Sequence, residues 1–138
     1  MKHLKLYEQE EHIVHRRDNG TISYEAWYKD DKLHRLDGPS SIFYYKNGNV
    51  NYAVWYENDT RHRLDGPAVI NYYPDGSVQY EAWWQNDRHH RLDGPSEILY
   101  NEDGTVNQET WYYLGEEMPV TNQEEFDALV ELKKLGLI

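Results

Sequence analysis

The hexapeptide His-Arg-Leu-Asp-Gly-Pro occurs three times in this 138-residue chain, and each copy starts 28 residues after the previous one. The copies stand at 34–39, 62–67 and 90–95. A fixed period of this length is the signature of a repeat architecture, in which each unit buries its apolar surface against its neighbours. Three other series keep the same period: Trp27, Trp55, Trp83 and Trp111; Gly20, Gly48, Gly76 and Gly104; and Tyr24, Tyr52 and Tyr80. The chain is therefore predicted to be one repeat domain, 1–138, with units at about 6–33, 34–61, 62–89 and 90–117.

Each unit is predicted to contain a β-hairpin, because an Asn-Gly or Asp-Gly pair is the strongest short hairpin signal. These pairs stand at 19–20, 47–48, 75–76 and 103–104. Both residues of such a pair favour positive φ, and the flanking residues are the β-branched and aromatic types that strands prefer. A two-residue loop at 47–48 places Tyr45 opposite Val50 and Phe43 opposite Tyr52.

A second turn is expected after each Trp, because Asn, Asp and Gly tolerate left-handed backbone. These turns are predicted at 30–31, 58–59, 86–87 and 114–115. The predicted fold class is thus mainly β: four 28-residue β-hairpin repeats that form a twisted antiparallel meander sheet.

The C-terminal segment is predicted to be an α-helix over about 121–135, which caps the repeat sheet. Thr121 and Glu124 have the spacing of a capping box, and Phe126 and Val130 start an apolar stripe with helical spacing. Gly136 follows as a stop signal. We expect this helix to cover the last unit, where an unpaired sheet edge would invite aggregation.

The string Tyr-x-x-Trp-Tyr-x-Asn-Asp at 52–59, followed by His62 and by Gly66-Pro67, resembles MORN-type repeats. It is closer to the bacterial and bacteriophage relatives of that family, and the resemblance covers about 12–135. It implies β-hairpin units built on a Tyr, Trp, Gly and His-Gly pattern. Some bacterial MORN-like proteins are regarded as antitoxins, whereas the phage relatives are mostly uncharacterised. The resemblance therefore implies the fold strongly and an inhibitory role more weakly.

The repeated His-Arg-Leu-Asp invites an enzymatic interpretation, since a His and an Asp can act as base and orienting group. Catalytic groups converge on one site, however, whereas these recur at a fixed stride. We therefore expect no enzyme and no catalytic residue. A structural ladder is expected instead, in which the arginines at 35, 63 and 91 meet the aspartates at 37, 65 and 93 and fix the register between units.

No metal site and no cofactor are expected. His34, His62 and His90 have the imidazoles that zinc prefers, but their spacing follows from the repeat, and the chain has no Cys. With no Cys, no secretory signal and no apolar run long enough to span a bilayer, the expected location is the cytoplasm, or the host cytoplasm if a phage encodes the chain.

The net charge of -11, from 14 Lys+Arg and 25 Asp+Glu, argues against direct binding of nucleic acid. Residues 97–138 hold 2 basic and 10 acidic side chains, which is a net -8. Five Trp, thirteen Tyr and two Phe exceed what a thin sheet can hide. The Trp series is expected to form the core, with one indole packed on the next. The predicted partner-binding residues are Tyr24, Tyr52, Tyr80, Trp84, Glu116, Glu117, Glu124 and Glu125.

These features predict a non-enzymatic protein-binding module, of the inhibitor, immunity or phage anti-defence type, that blocks a basic toxin or host defence protein. Aromatic anchors supply contact area, and the acidic end steers association with a basic partner. Two alternatives stay open: a structural or self-associating scaffold, such as a virion component, and a sponge for a nucleotide signal.

Overall fold

The computed structural model describes residues 9–138, so the start of the predicted unit 6–33 lies outside the described part. In chain order the elements of that part are β1 (Glu10–Arg16), β2 (Ile22–Lys29), β3 (Lys32–Leu33), β4 (Ser41–Tyr44), β5 (Val50–Val54), β6 (Tyr56–Glu57), β7 (Thr60–Arg61), β8 (Val69–Tyr72), β9 (Val78–Ala82), β10 (Trp84–Gln85), β11 (Arg88–His89), β12 (Glu97–Tyr100), β13 (Val106–Tyr113), β14 (Glu116–Met118) and α1 (Gln123–Lys134). The chain is mainly β with one C-terminal helix, as predicted.

The main sheet is an antiparallel meander, in the order β1-β2-β4-β5-β8-β9-β12-β13-β14, with β3 on the same side of β2 as β4. The short strands missing from this order form two small hairpins, β6 with β7 and β10 with β11. Each strand of the meander pairs with its nearest neighbour in the chain, so the connections are short turns and loops. None of the helices among residues 9–138 is long and apolar enough to cross a membrane.

The hairpin turns at the Asn-Gly and Asp-Gly pairs are one residue longer than expected. Phe43 lies opposite Tyr52, as predicted, but Tyr44 and not Tyr45 lies opposite Val50. Only Gly48 of its pair has positive φ (90°), and its N–H donates to the Tyr45 carbonyl at 3.0 Å. The loop is therefore an ordinary turn closed by a glycine bulge, a geometry that needs just one left-handed residue.

The two-residue hairpins with left-handed backbone occur instead at the second set of turns. Asn58 and Asp59 have φ values of 50° and 66°, and Glu57 pairs directly with Thr60. The equivalent pairs at 30–31, 86–87 and 114–115 also have positive φ at both positions. The expectation that one left-handed geometry suits these turns is confirmed.

The two faces of the sheet carry different side chains, because successive residues of a strand point in opposite directions. One face bears Tyr24, Tyr52 and Tyr80, and the other bears Trp27, Trp55, Trp83 and Trp111 together with Tyr44, Tyr72 and Tyr100. We call the second the tryptophan face. The buried residues of the sheet are small, and they include Ala26, Ala53, Val54, Ala68, Val69, Ile70 and Ala82. The core is therefore thin. The expectation that each indole packs on the next is wrong, because the ring contacts of the Trp series are with other residues.

The helix α1 starts and ends with its own caps. Its N-cap is Asn122 rather than the expected Thr121: the Asn122 side chain accepts a hydrogen bond from the Glu125 N–H at 3.0 Å. The Glu125 carboxylate in turn accepts from the Thr121 N–H at 2.9 Å. The capping box is thus shifted by one residue, since Asn is as good a cap as Thr. At the other end, Leu137 donates to the Leu132 carbonyl, which completes a Schellman motif around Gly136.

The helix covers the last unit, as predicted, but it lies on the tryptophan face there. The prediction that it covers the unpaired edge of the sheet is wrong. The Phe126 ring lies 5.2 Å from the Trp111 ring, and Met118 and Val130 complete a buried cluster. The segment 108–110 of β13 pairs with β12 alone among the described residues. Burial of an aromatic cluster is worth more than cover over a short strand edge, so the helix lies where the indole is.

Candidate binding surfaces

One face of the sheet carries a cross-strand row that is mostly aromatic. Tyr24 lies opposite Phe43, with ring centroids 4.5 Å apart, and Phe43 lies opposite Tyr52 at 6.1 Å. The same cross-strand row continues through Asn71, Tyr80 and Leu99. Directly opposed aromatic pairs stabilise antiparallel sheets, so this row serves the fold and also forms a surface.

A second aromatic row lies beside the first, and each of its residues follows a position of the first row by four residues: Tyr28, Tyr56, Trp84 and Tyr112. We call the two rows together the tyrosine face: Tyr24, Tyr28, Phe43, Tyr52, Tyr56, Tyr80, Trp84 and Tyr112. Phe43 is 43% exposed, and the others are partly buried. The helix packs on the opposite face. The predicted aromatic site residues Tyr24, Tyr52, Tyr80 and Trp84 thus lie on one side of the sheet, partly exposed as expected.

A carboxylate stands inside the tyrosine face at Glu97. The Tyr80 hydroxyl donates to Glu97 Oε1 at 2.8 Å, and His89 Nδ1 lies 3.1 Å from the same oxygen. The His89 ring sits between Trp84 and Tyr112, with centroids at 3.7 and 4.5 Å. Burial lowers the pKa of His89 against the opposing effect of Glu97, and burial together with the Glu97 hydrogen bond raises the pKa of Tyr80. The Glu97 carboxyl group therefore lies among aromatic rings, and the Arg61 guanidinium covers one of them, Trp84, at 3.5 Å.

Buried polar atoms without a well-aligned hydrogen bond lie near this carboxylate. Among residues 9–138 they are Asn71 Oδ1, Trp84 Nε1 and His89 Nδ1, of which His89 Nδ1 is within 3.1 Å of Glu97 Oε1 but is poorly oriented toward it. Asn71 lies directly opposite Tyr80, so all three atoms belong to one region of the face. Buried polar groups without hydrogen-bond partners lower the stability of the fold, so their presence here is better explained by a functional role of this region than by packing.

The predicted acidic site residues do not come together. Glu117 lies opposite Tyr112, at the end of the tyrosine face. Glu116 is held by Lys133 at 2.8 Å, and Glu125 completes the helix cap. Glu124 is exposed in the first turn of α1. Of the four carboxylates, Glu117 alone joins the aromatic site residues.

The hexapeptide arginines cover the indoles of the tryptophan face. The guanidinium carbon of each hexapeptide arginine lies over the centre of a Trp ring: Arg35 over Trp27 at 3.8 Å, Arg63 over Trp55 at 4.1 Å, and Arg91 over Trp83 at 3.8 Å. A fourth such contact, outside the hexapeptides, places Arg61 over Trp84 of the tyrosine face at 3.5 Å. The residue 28 positions after Arg91 is Pro119, and there Phe126 of the helix covers Trp111 instead. Trp27, Trp55 and Trp83 are thus half-buried under a cation, whereas Trp111 is buried under a ring.

The predicted ladder of arginine and aspartate between units is wrong. Arg63 Nε donates to Asp65 Oδ1 at 3.0 Å, and Arg63 Nη1 donates to the Pro67 carbonyl at 3.0 Å. The other two copies make the same bonds within their own loops. An arginine that lies flat on an indole can reach only its own loop, so the ion pairs fix loop shape and not register.

The hexapeptide histidines connect one loop to the next turn in the chain. In each case Nδ1 accepts a backbone N–H: His34 from Asn58 at 3.3 Å, His62 from Asn86 at 3.0 Å and His90 from Leu114 at 3.2 Å. An imidazole that accepts at Nδ1 carries its proton on Nε2. These side chains are structural acceptors, and residues 9–138 contain no group of three or more side chains suited to hold a metal ion.

Sequence reasoning missed Phe43, Glu97 and His89 as members of the aromatic surface. Phe43 could have been predicted from the sequence, because its predicted position opposite Tyr52 already placed it in the tyrosine row. Glu97 and His89 gave no signal, since their contact depends on the three-dimensional course of a loop. Together these observations describe a mainly β meander with one partly exposed aromatic face on the side opposite the helix. No family model, no curated protein and no solved structure matches the chain.

Proposed function

We propose that this chain is a non-enzymatic protein-binding module, a MORN-like array of four 28-residue hairpin units that binds its partner through the tyrosine face. The observation that carries the proposal is the aromatic face itself, which lies opposite the helix and is partly exposed, although the Arg61 guanidinium covers the Trp84 ring at 3.5 Å. Tyr and Trp side chains give large contact areas at low entropic cost and dominate binding hot spots. A partly exposed sheet face so rich in them is typical of an interaction surface.

The partner is a basic protein, and the module acts as an inhibitor of a toxin or a host defence protein in the cytoplasm. Glu97 and Glu117 place negative charge within and beside the aromatic rows, and the net charge of -11 steers a basic partner toward the molecule. A nucleotide-binding role has less support. The hexapeptide arginines are already engaged by an indole, an aspartate and a proline carbonyl.

The test removes one exposed ring from the face. Phe43→Ser deletes the most exposed aromatic side chain of the tyrosine face, whereas Leu137→Ser removes a 66% exposed apolar residue from the C-terminal tail. Capture from a lysate of the source or its host, followed by titration with the captured protein, compares the two variants. We expect about tenfold weaker binding for Phe43→Ser, unchanged binding for Leu137→Ser, and affinity that falls with added salt.

Equal binding by both variants, or no binding to any protein, would overturn the proposal. Sedimentation of the purified chain distinguishes the scaffold alternative, because large homo-oligomers that survive Phe43→Ser point to self-association through another surface.

A further inference from the structure

Five of the six hexapeptide residues have a structural task, and leucine is the exception. In the middle copy, His62 accepts a backbone N–H, Arg63 stacks on Trp55, and Asp65 and Pro67 accept from Arg63. A Cβ at Gly66 would stand 2.8 Å from the Arg63 guanidinium carbon. Leu64 points away from all of these and is 74% exposed.

The same residue is exposed in every copy of the hexapeptide. Leu36 is 82% exposed and Leu92 is 52% exposed. An exposed leucine contributes little to stability, and a single one on a surface needs no explanation. Three exposed leucines at the same place in three identical loops do need an explanation, and a binding role for these leucines is one.

The outward surface of these loops is also acidic. The aspartate side chains beside the leucines are 85–88% exposed, whereas the arginine side chains are 21–25% exposed because they lie against the indoles. Each loop therefore offers solvent a leucine and the second oxygen of a carboxylate whose Oδ1 is bonded to the loop's own arginine, and the arginine itself is largely hidden. We call this surface the leucine rim: Leu36, Leu64, Leu92, Asp37, Asp65 and Asp93.

The spacing of the rim matches the repeat of an α-helix. The three loops lead into β4, β8 and β12, which lie two strands apart in the sheet. Two strand spacings are roughly 9.5 Å, and residues seven apart on a helix are about 10.5 Å apart. Open grooves of about 590 and 540 Å³ separate successive loops. A helix laid along the rim meets one leucine every two turns.

The chain's own helix already touches one end of the rim. The Gln123 side chain, in the first turn of α1, donates to the Leu92 carbonyl at 2.8 Å. Leu92 is also the least exposed of the three leucines. A helix on the rim would therefore continue a contact that the fold makes with its third loop.

We propose that the leucine rim binds an amphipathic α-helix of a partner protein, whose apolar stripe contacts the three leucines and whose flanking Lys or Arg side chains pair with Asp37, Asp65 and Asp93. The rim lies over the tryptophan face, so this site is separate from the tyrosine face and does not depend on it. Helix-in-groove recognition of this kind uses anchors at helical spacing for affinity and charge for orientation.

The test uses a synthetic probe, a helical peptide of about 22 residues with leucines seven apart and lysines beside them. A second peptide has the same composition in scrambled order. Fluorescence anisotropy measures their binding to the full chain and to three variants: Leu64→Ser, the triple variant Leu36→Ser/Leu64→Ser/Leu92→Ser, and Phe43→Ser. Circular dichroism checks that each variant is folded.

We expect the ordered peptide to bind at least about tenfold more tightly than the scrambled one, and the triple variant to lose that advantage. Leu64→Ser should lose part of it, and Phe43→Ser should keep it. Photo-crosslinkers at positions 36 and 64 should react with peptide residues about seven apart. Equal binding of both peptides, full binding by the triple variant, or crosslinks about three residues apart, as a strand would give, would each overturn the proposal.

Discussion

A single arginine makes three contacts in each hexapeptide loop, and a glycine makes room for it. Arg63 lies on Trp55 and bonds to Asp65 and to the Pro67 carbonyl. The Cβ that Gly66 lacks would approach the guanidinium to 2.8 Å. The arginine side chain is thus the reason for a glycine at this position of the loop. Backbone strain is not the reason, since Gly66 does not have positive φ.

Gly66→Ala should therefore destabilise the protein by displacing Arg63 from Trp55. We expect a loss of about 1–2 kcal/mol, the value of a partly buried cation–π contact and a charge-assisted hydrogen bond. The measurement is the free energy of unfolding in urea. In an Arg63→Ala background the same Gly66→Ala change should cost close to nothing, and an equal cost in both backgrounds would show that the arginine is not the cause.

A hexapeptide histidine makes a contact that depends on its protonation. His90 Nδ1 accepts from the Leu114 N–H, and protonation would replace that acceptor with a donor. Burial lowers the pKa of His90 below its ordinary 6.5. The unfolded chain therefore binds this proton more readily than the folded chain, so the stabilisation is complete above pH 6.5 and is lost as the pH falls through the lower folded value.

The chain should accordingly be less stable at about pH 5 than at about pH 7.5, a range above the ordinary pKa of its carboxylates. Thermal unfolding at the two pH values measures this. His90→Asn keeps an acceptor oxygen without a titrating ring, so we expect a lower melting temperature at both pH values but a smaller difference between them. The control is His15→Asn on an exposed strand position, which should keep the wild-type difference. An unchanged difference in His90→Asn would contradict the assignment.

At the scale of elements, the turns decide where strands start and which residues face each other. The Asn-Gly and Asp-Gly pairs close with a glycine bulge, whereas the turns after the Trp residues have two left-handed positions. Three of the latter use Asn or Asp at both positions, and the fourth places Leu114 at a φ of 48°. A left-handed leucine costs roughly 1–2 kcal/mol, so this turn is the strained member of the set.

Leu114→Asn should stabilise the protein by roughly 0.5–1.5 kcal/mol, because Asn tolerates left-handed backbone. Leu114 is 53% exposed, so little burial is lost. The reciprocal change Asn58→Leu, at a φ of 50°, should destabilise by a similar amount. Urea midpoints of the two variants against the parent test the pair. Destabilisation by Leu114→Asn together with no effect of Asn58→Leu would contradict this explanation.

At the scale of the whole molecule, the sheet could be predicted from the sequence and its two surfaces only in part. Period-2 alternation and turn residues are local signals that were enough for the antiparallel meander, and a capping pattern with apolar residues at helical spacing was enough for the helix. The guanidinium over Trp55 and the approach of His89 to Glu97 depend on how loops fold back over the sheet. Such contacts join residues that no periodicity relates. The exact helix cap was missed for a smaller reason, because Thr121 and Asn122 are both good caps and packing chose between them.

The sheet is one layer thick, with aromatic rings on one side and the loops of the leucine rim on the other. Neither side lies under the other, so a ligand on one leaves the opposite side free. If both proposed surfaces bind, one partner sits on each side of a single layer of backbone, and the loss of either contact leaves the second intact.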